Sequence, residues 1–229
     1  MDFSIKKNNY GFAVIFDMDG VIVDSNPVHK KALKQFCKSH GFDLTDSELR
    51  NKIYGRANKD WLPELFQNNL PAEEYEKLAK EKEALFRKLY SPVIKPLTGL
   101  INFLEELVLN NIPRAVATSA PPENVEFALE KTGTRKYFEI IVHEKMIKKG
   151  KPDPEVFLKT ISKLNFAPEK CVIIEDSIAG IQAAKKAGTK VVAVTTTLSR
   201  NELFDYDLAI NNFDELKVEH LKVLTADIN

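Results

Sequence analysis

The sequence predicts an α/β protein: a doubly wound parallel sheet, Rossmann-like in its layout, with an inserted α-helical domain. Short continuous apolar runs recur between amphipathic stretches of helical length, a pattern typical of parallel strands covered on both faces. Residues 26–93 interrupt this alternation, because they carry helical periodicity without a convincing strand. With 44% hydrophobic and 29% charged residues among 229, the chain can bury a core, which excludes a disordered chain or a fibre.

The predicted strands are apolar runs bounded by turn residues. In chain order they lie at 10–16, 114–118, 140–143, 171–175, 191–194 and 208–210. In such sheets ligands bind where the strands end, so the polar residues just after each run are the candidates for function.

The helical insert has its own start signals. Thr45 with Glu48 offers a capping box for one helix, Asn58 can cap a second, and Pro71 precedes a third. We therefore expect a core domain made of residues 1–25 and 94–229, and a helical domain of residues 26–93.

Charge and apolar length exclude several classes of partner. The chain has 33 basic and 33 acidic residues. It therefore has no net positive charge that would favour binding to nucleic acid or to an anionic membrane. Its longest apolar runs are far shorter than the ~20 residues that span a bilayer, and the polar segment 1–9 does not resemble a signal peptide. Cys37 and Cys171 lack CxxC spacing and are predicted to be reduced core residues. We expect a cytoplasmic monomer that binds neither nucleic acid nor membrane.

Two carboxylates follow the first predicted strand. Asp17 and Asp19 stand where the chain leaves the sheet, and Gly20 permits a turn there. Burying paired carboxylates is costly unless a cation neutralises them or they share a proton. The alternative is that Asp17 and Asp19 are ordinary turn residues. The position of the two carboxylates directly after an apolar strand favours a metal site.

A second acidic pair, Glu175 and Asp176, ends the fourth predicted strand, and Ser177 then starts a helix that Gly188 closes. Taken alone, this pair has helix capping as an alternative explanation. Two strands together, however, bring four acidic residues to one edge of the sheet: Asp17, Asp19, Glu175 and Asp176. An all-oxygen set without histidine or thiol suits Mg²⁺.

Two more polar features occupy equivalent positions. Thr118 and Ser119 follow the second strand and offer hydroxyl and backbone N–H groups for a phosphate, with plain helix capping as the alternative. Lys151 lies in a loop that two prolines stiffen, just before a predicted helix at 155–164. An exposed lysine is usually solvated, but fixed backbone on both sides favours a functional side chain.

Two ionisable side chains of the insert fall on apolar helix faces. Lys82 lies inside the stripe of one helix, and His29 opens the stripe of another. For each, a stem packed on apolar surface with its tip in water is as good an explanation as contact with a substrate.

The order Asp17-x-Asp19, Thr118, Lys151 and Glu175-Asp176 resembles the four-motif pattern of the haloacid dehalogenase-like superfamily. The resemblance covers essentially the whole chain, because each motif falls at a strand end or in the loop after it, and residues 26–93 look like that superfamily's small helical cap. Lys82 and the stretches 24–29 and 176–181 are most similar to the β-phosphoglucomutase-like branch, which includes sugar-phosphate phosphatases and mutases.

The resemblance implies an aspartyl-phosphate mechanism with Mg²⁺ as cofactor. It makes Asp17 the nucleophile, Asp19 the general acid/base, and Thr118 and Lys151 phosphate ligands. The implied metal shell consists of Asp17, the Asp19 carbonyl, Glu175 and Asp176. A carboxylate attacks a dianionic phosphate poorly because like charges repel, so the ion and Lys151 are needed to cancel charge.

A departure from the branch favours hydrolysis. The mutases carry an arginine shortly after a glycine of the cap, which grips the second phosphate of their substrate; aligning on Gly55 places Asn58 there, with Arg56 displaced by two positions. We therefore predict a phosphatase for a small phosphorylated metabolite such as a sugar phosphate, with His29, Lys82, Arg56 and Asn58 as candidate substrate contacts. A β-phosphoglucomutase and a non-catalytic Mg²⁺- or phosphate-binding module are the alternatives.

Overall fold

The structure, a computed structural model, describes residues 11–52, 58–66 and 70–226. Within these ranges the chain divides into two compact units. The core unit comprises the described parts of Met1–Asp24 and Lys95–Asn229, and the helical unit comprises those of Ser25–Ile94.

Strands occur in the core unit, and α-helices occur in both units. The strands are β1 (Ala13–Phe16), β2 (Arg114–Ala117), β3 (Ile140–Val142), β4 (Cys171–Glu175), β5 (Lys190–Val194) and β6 (Leu208–Ile210). The helices of the helical unit are α1 (Asn26–Ser39), α2 (Asp46–Lys52), α3 (Asn58–Leu65) and α4 (Ala72–Tyr90). Those of the core unit are α5 (Leu100–Leu109), α6 (Pro122–Lys131), α7 (Glu155–Leu164), α8 (Ile178–Lys186) and α9 (Val218–Thr225).

The six strands form one parallel sheet in the order β3-β2-β1-β4-β5-β6. This order confirms the predicted doubly wound, Rossmann-like sheet. The chain places β2 and β3 on one side of β1, and β4, β5 and β6 on the other side. Phe16, the last residue of β1, therefore pairs with Val116 on one side and with Ile174 on the other. The ends of β1 and β4 therefore lie side by side at the switch point, where this fold binds its ligands.

The central strand β1 is apolar throughout because both of its faces are covered. Its four residues are all buried. Ala13 and Ile15 belong to the same core cluster as Val156 and Ile161 of α7. Phe16 points the other way and packs against three aromatic rings: Phe103, Phe138 and Phe213. The alternation along a strand thus fills both layers of the core.

The helical unit has a core of its own, formed mainly by apolar residues of α1, α3 and α4. These residues include Leu33, Phe36, Cys37, Trp61, Leu62 and Leu78. The predicted capping box is present at α2, where the Thr45 N–H donates to Glu48 Oε2 at 2.9 Å and the Glu48 N–H to Thr45 Oγ1 at 3.2 Å.

Neither cysteine forms a disulfide. Cys37 and Cys171 are buried free thiols, and burial raises the pKa of Cys37 to about 11 and that of Cys171 to about 12. No helix in the described part of the chain is long and apolar enough to cross a bilayer.

Candidate active site

A tight loop follows β1 and carries the first acidic pair. The Gly20 N–H donates to the Val23 carbonyl at 2.7 Å, and the Ile22 N–H donates to the Met18 carbonyl at 2.8 Å. Gly20 has φ +79°, a conformation that residues with a Cβ rarely adopt. This loop turns the chain at the edge of the sheet, directly after Asp17.

Asp17 is buried and paired with Lys151, which lies 134 positions further along the chain. The Lys151 ammonium donates to Asp17 Oδ1 at 2.5 Å and to Glu175 Oε1 at 2.6 Å. All three side chains are at most 9% exposed. The structure thus places a lysine between the carboxylates that end β1 and β4.

Burial and neighbouring charges shift both ends of this ion pair. Burial raises the pKa of Asp17 to about 7; Lys151 opposes the rise, whereas Glu175 and Asp19 add to it. Burial disfavours the charge of Lys151, but the two carboxylates outweigh it and raise the pKa of the ammonium above its usual value. Lys151 is therefore charged at neutral pH, and it only partly neutralises the acidic cluster around it.

Glu175 is predicted as a metal ligand, but both of its oxygens are engaged by the protein. Oε1 accepts from Lys151, and Oε2 accepts at 2.9 Å from the Asp176 N–H, the Ser177 N–H and the Ser177 hydroxyl. Gly180 leaves the space for this carboxylate, because a Cβ there would lie 1.8 Å from Oε1. These bonds favour a role in orienting Lys151 over a role in direct coordination.

Asp176 lies against the loop that follows β1. A Cβ on Gly20 would lie 1.9 Å from Asp176 Oδ2. Burial, with added repulsion from Glu175 and Asp17, raises the pKa of Asp176 well above its usual value. A buried carboxylate in this environment is stabilised either by a proton or by a cation.

The donor set fits Mg²⁺ rather than a metal held by many side chains. Among the described residues, no three acidic, histidine or cysteine side chains form a ready-made ligand group. Mg²⁺ is commonly bound by only one or two carboxylates, with water and substrate phosphate completing its octahedron. Asp17 and Asp176, two buried carboxylates at this edge of the sheet, supply that number of side chains.

Two threonines at this edge were not among the predicted residues. Thr196 donates its hydroxyl proton to the Gly20 carbonyl at 2.5 Å, and Thr197 donates to Asp176 Oδ2. Both follow β5, so the rule that polar residues after each strand deserve inspection also selects them. They tie the loop after β5 to the loop after β1 and to the acidic pair after β4.

Thr118 and Ser119, the predicted phosphate contacts, follow β2. The Thr118 N–H donates to the Val142 carbonyl at 3.0 Å, so this amide is already engaged. The buried Thr118 hydroxyl accepts the Ala120 N–H at 3.1 Å, a bond that leaves its own proton available for donation. Ser119 is exposed and adjacent. The hydroxyls, rather than the Thr118 amide, are the groups suited to a phosphate.

The predicted substrate contacts of the helical unit include a buried ion pair. Lys82 is 5% exposed, as the apolar stripe predicts, and its ammonium lies 2.6 Å from Glu83 Oε1. Asn58 donates to the same oxygen at 2.8 Å. Burial opposes the charge of Glu83, but Lys82 and His29 lower its pKa below the usual value.

The His29 ring stacks on Phe86 with 3.6 Å between centroids. Arg56, the remaining predicted contact, lies outside the described residues.

Comparison with known proteins assigns the family. A sequence model described as haloacid dehalogenase-like hydrolase matches residues 14–194. The chain belongs to this family. A haloacid dehalogenase-like hydrolase from Entamoeba histolytica, family IA, variant 3, has a crystal structure that superposes with a TM-score of 0.85 and 32% identity, covering 93% of this chain and 99% of that one.

Two relatives indicate the branch of the family and the enzyme class. A phosphorylated carbohydrates phosphatase from Thermotoga maritima is 35% identical over 77% of this chain and 81% of that protein. A β-phosphoglucomutase from Bacillus subtilis is 30% identical over 91% of this chain and 93% of that protein. These relatives confirm the predicted β-phosphoglucomutase-like branch and the predicted enzyme class, a phosphatase.

Because of its acidic cluster, we expect the effect of Mg²⁺ on the melting temperature of this haloacid dehalogenase-like hydrolase to depend on pH. Because the pKa of Asp17 rises from 3.8 to about 7 on folding, the folded protein binds more protons than the unfolded chain between these values. In metal-free protein, the contribution of the Asp17 carboxyl to the free energy of unfolding therefore falls as pH rises from about 4 to about 7. We expect Mg²⁺ to raise the melting temperature more at pH 8 than at pH 5, measured by scanning calorimetry against EDTA. A shift of equal size at both pH values would contradict this.

Gly20→Ala should separate backbone strain from damage to the site. Gly133→Ala is the matched control, because Gly133 has φ +68° but nothing within 4 Å of an added Cβ. Each change adds about 1–2 kcal/mol of left-handed backbone strain. Only Gly20→Ala also displaces Asp176, so we expect it alone to abolish the Mg²⁺-induced rise in melting temperature and to reduce kcat/KM by about 100-fold. Equal losses in both variants would show that Asp176 does not depend on this close approach.

Proposed function

We propose that the protein is a Mg²⁺-dependent phosphatase that hydrolyses a small phosphorylated metabolite, a sugar phosphate, through a phosphoryl group carried on Asp17. The observation that carries this proposal is the Lys151 ammonium held between Asp17 and Glu175, with the Asp176 carboxylate beside Gly20. The Thermotoga maritima relative supports a carbohydrate substrate, because its name specifies phosphorylated carbohydrates.

The proposed first step transfers the phosphoryl group to the protein. An oxygen of Asp17 attacks phosphorus, the bond from phosphorus to the ester oxygen breaks, and Asp19 gives its carboxyl proton to the leaving alkoxide. Lys151 offsets the negative charge on the transferring group, and the Thr118 and Ser119 hydroxyls donate to its oxygens.

The second step returns the protein to its starting state. Water attacks the phosphorus of the aspartyl phosphate, Asp19 accepts a proton from that water, and the bond from phosphorus to Asp17 Oδ breaks to release inorganic phosphate. Mg²⁺, held by Asp17, Asp176 and the Asp19 carbonyl, would supply positive charge to the phosphate oxygens and to the buried carboxylates. In this proposal Glu175 holds Lys151 in place.

Two described residues of the helical unit, Lys82 and Asn58, favour hydrolysis over a mutase reaction. A bisphosphate intermediate requires a second strong anion site, and arginine is the side chain best suited to it. Lys82 is instead paired with the buried carboxylate of Glu83, and Asn58 donates to that same carboxylate. Recognition of substrate by His29, Lys82, Arg56 and Asn58 stays a prediction, as do the monomeric state and the cytoplasmic location.

A single assay separates the candidate functions. Phosphate release from a panel of sugar phosphates, with Mg²⁺ and with EDTA, should show turnover that depends on the metal. The β-phosphoglucomutase from Bacillus subtilis is the reason to include β-glucose 1-phosphate and to examine both products. Glucose with inorganic phosphate supports the phosphatase, glucose 6-phosphate supports the mutase, and the absence of turnover on every ester supports a non-catalytic binding module.

A further inference from the structure

The loop that carries Lys151 is attached to the start of α7 through one carboxylate. Glu155, the first residue of α7, accepts two backbone hydrogen bonds on Oε2: from the Lys149 N–H at 2.8 Å and from the Lys148 N–H at 3.0 Å. The acceptor thus lies on a regular helix, and the two donors lie two and three residues before Lys151.

A second side chain of α7 extends this attachment. Lys159, one turn further along the helix, lies 2.7 Å from Glu155 Oε1 and donates to the Met146 carbonyl at 2.7 Å. The pair therefore contacts three backbone positions of the loop. The Lys159 hydrogen bond and the two loop amides lower the pKa of Glu155 to about 2, so the carboxylate is ionised throughout the physiological range.

The position of Lys151 depends on where this loop runs. Its ammonium reaches both Asp17 and Glu175 from a loop outside the sheet, and both distances are short. Displacing a catalytic group by about 1 Å can lower a rate about 100-fold. A restraint two residues upstream is therefore in a place to affect the reaction, although Glu155 itself is not among the groups that contact Asp17 or Glu175.

We propose that Glu155 is a positioning residue for Lys151: with Lys159 it fastens residues 146–149 to α7 and thereby holds the ammonium between Asp17 and Glu175. This inference rests on the proposed phosphatase function. The alternative explanation for Glu155 is a general one, that an acidic residue in the first turn stabilises its helix. That explanation predicts a change in stability without a specific dependence on Lys151.

A double-mutant cycle distinguishes the two explanations. We expect Glu155→Ala to lower kcat/KM about 10- to 100-fold, and to have no further effect in a Lys151→Ala background. Glu155→Gln, which keeps an oxygen acceptor for the loop amides, should recover most of the activity. Additive losses in the double variant would overturn the proposal, because Glu155 would then act independently of Lys151.

Glu123→Ala is the matched control for the loop. Glu123 pairs with Lys145 of the same loop at 3.4 Å, but this is an exposed contact between side chains. Exposed pairs of this kind contribute little, so kcat/KM should change less than about twofold. Hydrogen exchange at the Lys148 and Lys149 amides should accelerate in Glu155→Ala and stay slow in the control. Unchanged exchange in Glu155→Ala would also overturn the proposal.

The same cycle can be measured without turnover. Affinity for inorganic phosphate in the presence of Mg²⁺, determined by calorimetry for the four proteins of the cycle, should show the same lack of additivity. If the unmodified protein hydrolyses no phosphate ester, the proposed function fails, while phosphate affinity and amide exchange still decide whether Glu155 positions Lys151. Additive losses of phosphate affinity would reject the positioning role.

Discussion

Asp17→Asn is expected to abolish turnover while leaving the protein folded. Asparagine has nearly the same shape but is a far weaker nucleophile, so phosphate release should fall by at least about 1,000-fold for every substrate. The change removes one negative charge that repels Glu175 and Asp176, and Lys151 keeps Glu175 as its buried partner. The melting temperature of the metal-free variant should therefore not fall. Steady-state assays and scanning calorimetry measure the two quantities.

Asp43→Asn is the control for Asp17→Asn. Asp43 is exposed in the helical unit. Its substitution replaces an acid by the corresponding amide, as Asp17→Asn does. It should leave kcat and the response to Mg²⁺ unchanged. If Asp17→Asn kept full phosphate release on the substrates that the unmodified protein hydrolyses, Asp17 would not be the nucleophile.

Lys151→Met is expected to have the largest effect on stability. It leaves Asp17 and Glu175 buried without their shared cation, and removing one partner of a buried ion pair costs about 3–5 kcal/mol. Because Asp17 has a raised pKa and can take up a proton, the loss should be smaller at pH 5 than at pH 8. Denaturant unfolding at both pH values measures this difference, and kcat/KM should fall by about 1,000-fold.

The matched control lies in the same loop. Lys149 is a lysine whose side chain is 76% exposed, and Lys149→Met should change the free energy of unfolding by no more than about 0.5 kcal/mol. If Lys151→Met had the same free energy of unfolding as the unmodified protein at pH 8 without Mg²⁺, the Asp17 and Glu175 carboxylates would not need this ammonium.

The sheet could be predicted from sequence because its strands are buried on both faces. The predicted strands at 171–175 and 208–210 agree with β4 and β6. β1 (Ala13–Phe16) lies within the run predicted at 10–16, of which residue 10 is outside the described part of the chain. Strand order could not be predicted from the periodicity of each segment. That Asp17 and Glu175 are neighbours follows from the pairing of β1 with β4, and the fold class made this edge the place to look.

The finer contacts of the site depend on the folding of loops. Lys151 and Asp17 are 134 positions apart, so sequence spacing alone does not show that their side chains meet. The same holds for Thr197 and Asp176, which meet only because the loops after β4 and β5 come together. Sequence also did not pair Lys82 with Glu83, since adjacent residues on a helix do not normally face each other.

Trapping the phosphorylated protein tests the central claim most directly. A substrate carrying radioactive phosphorus would be mixed with the protein and Mg²⁺, quenched in acid within a single turnover, and reduced with borohydride, which converts an aspartyl phosphate to homoserine. We predict label on the quenched protein and homoserine at position 17 in the peptide map, with neither in Asp17→Asn. Homoserine or label at another residue, or rapid turnover with no phosphorylated protein at any quench time, would contradict the account.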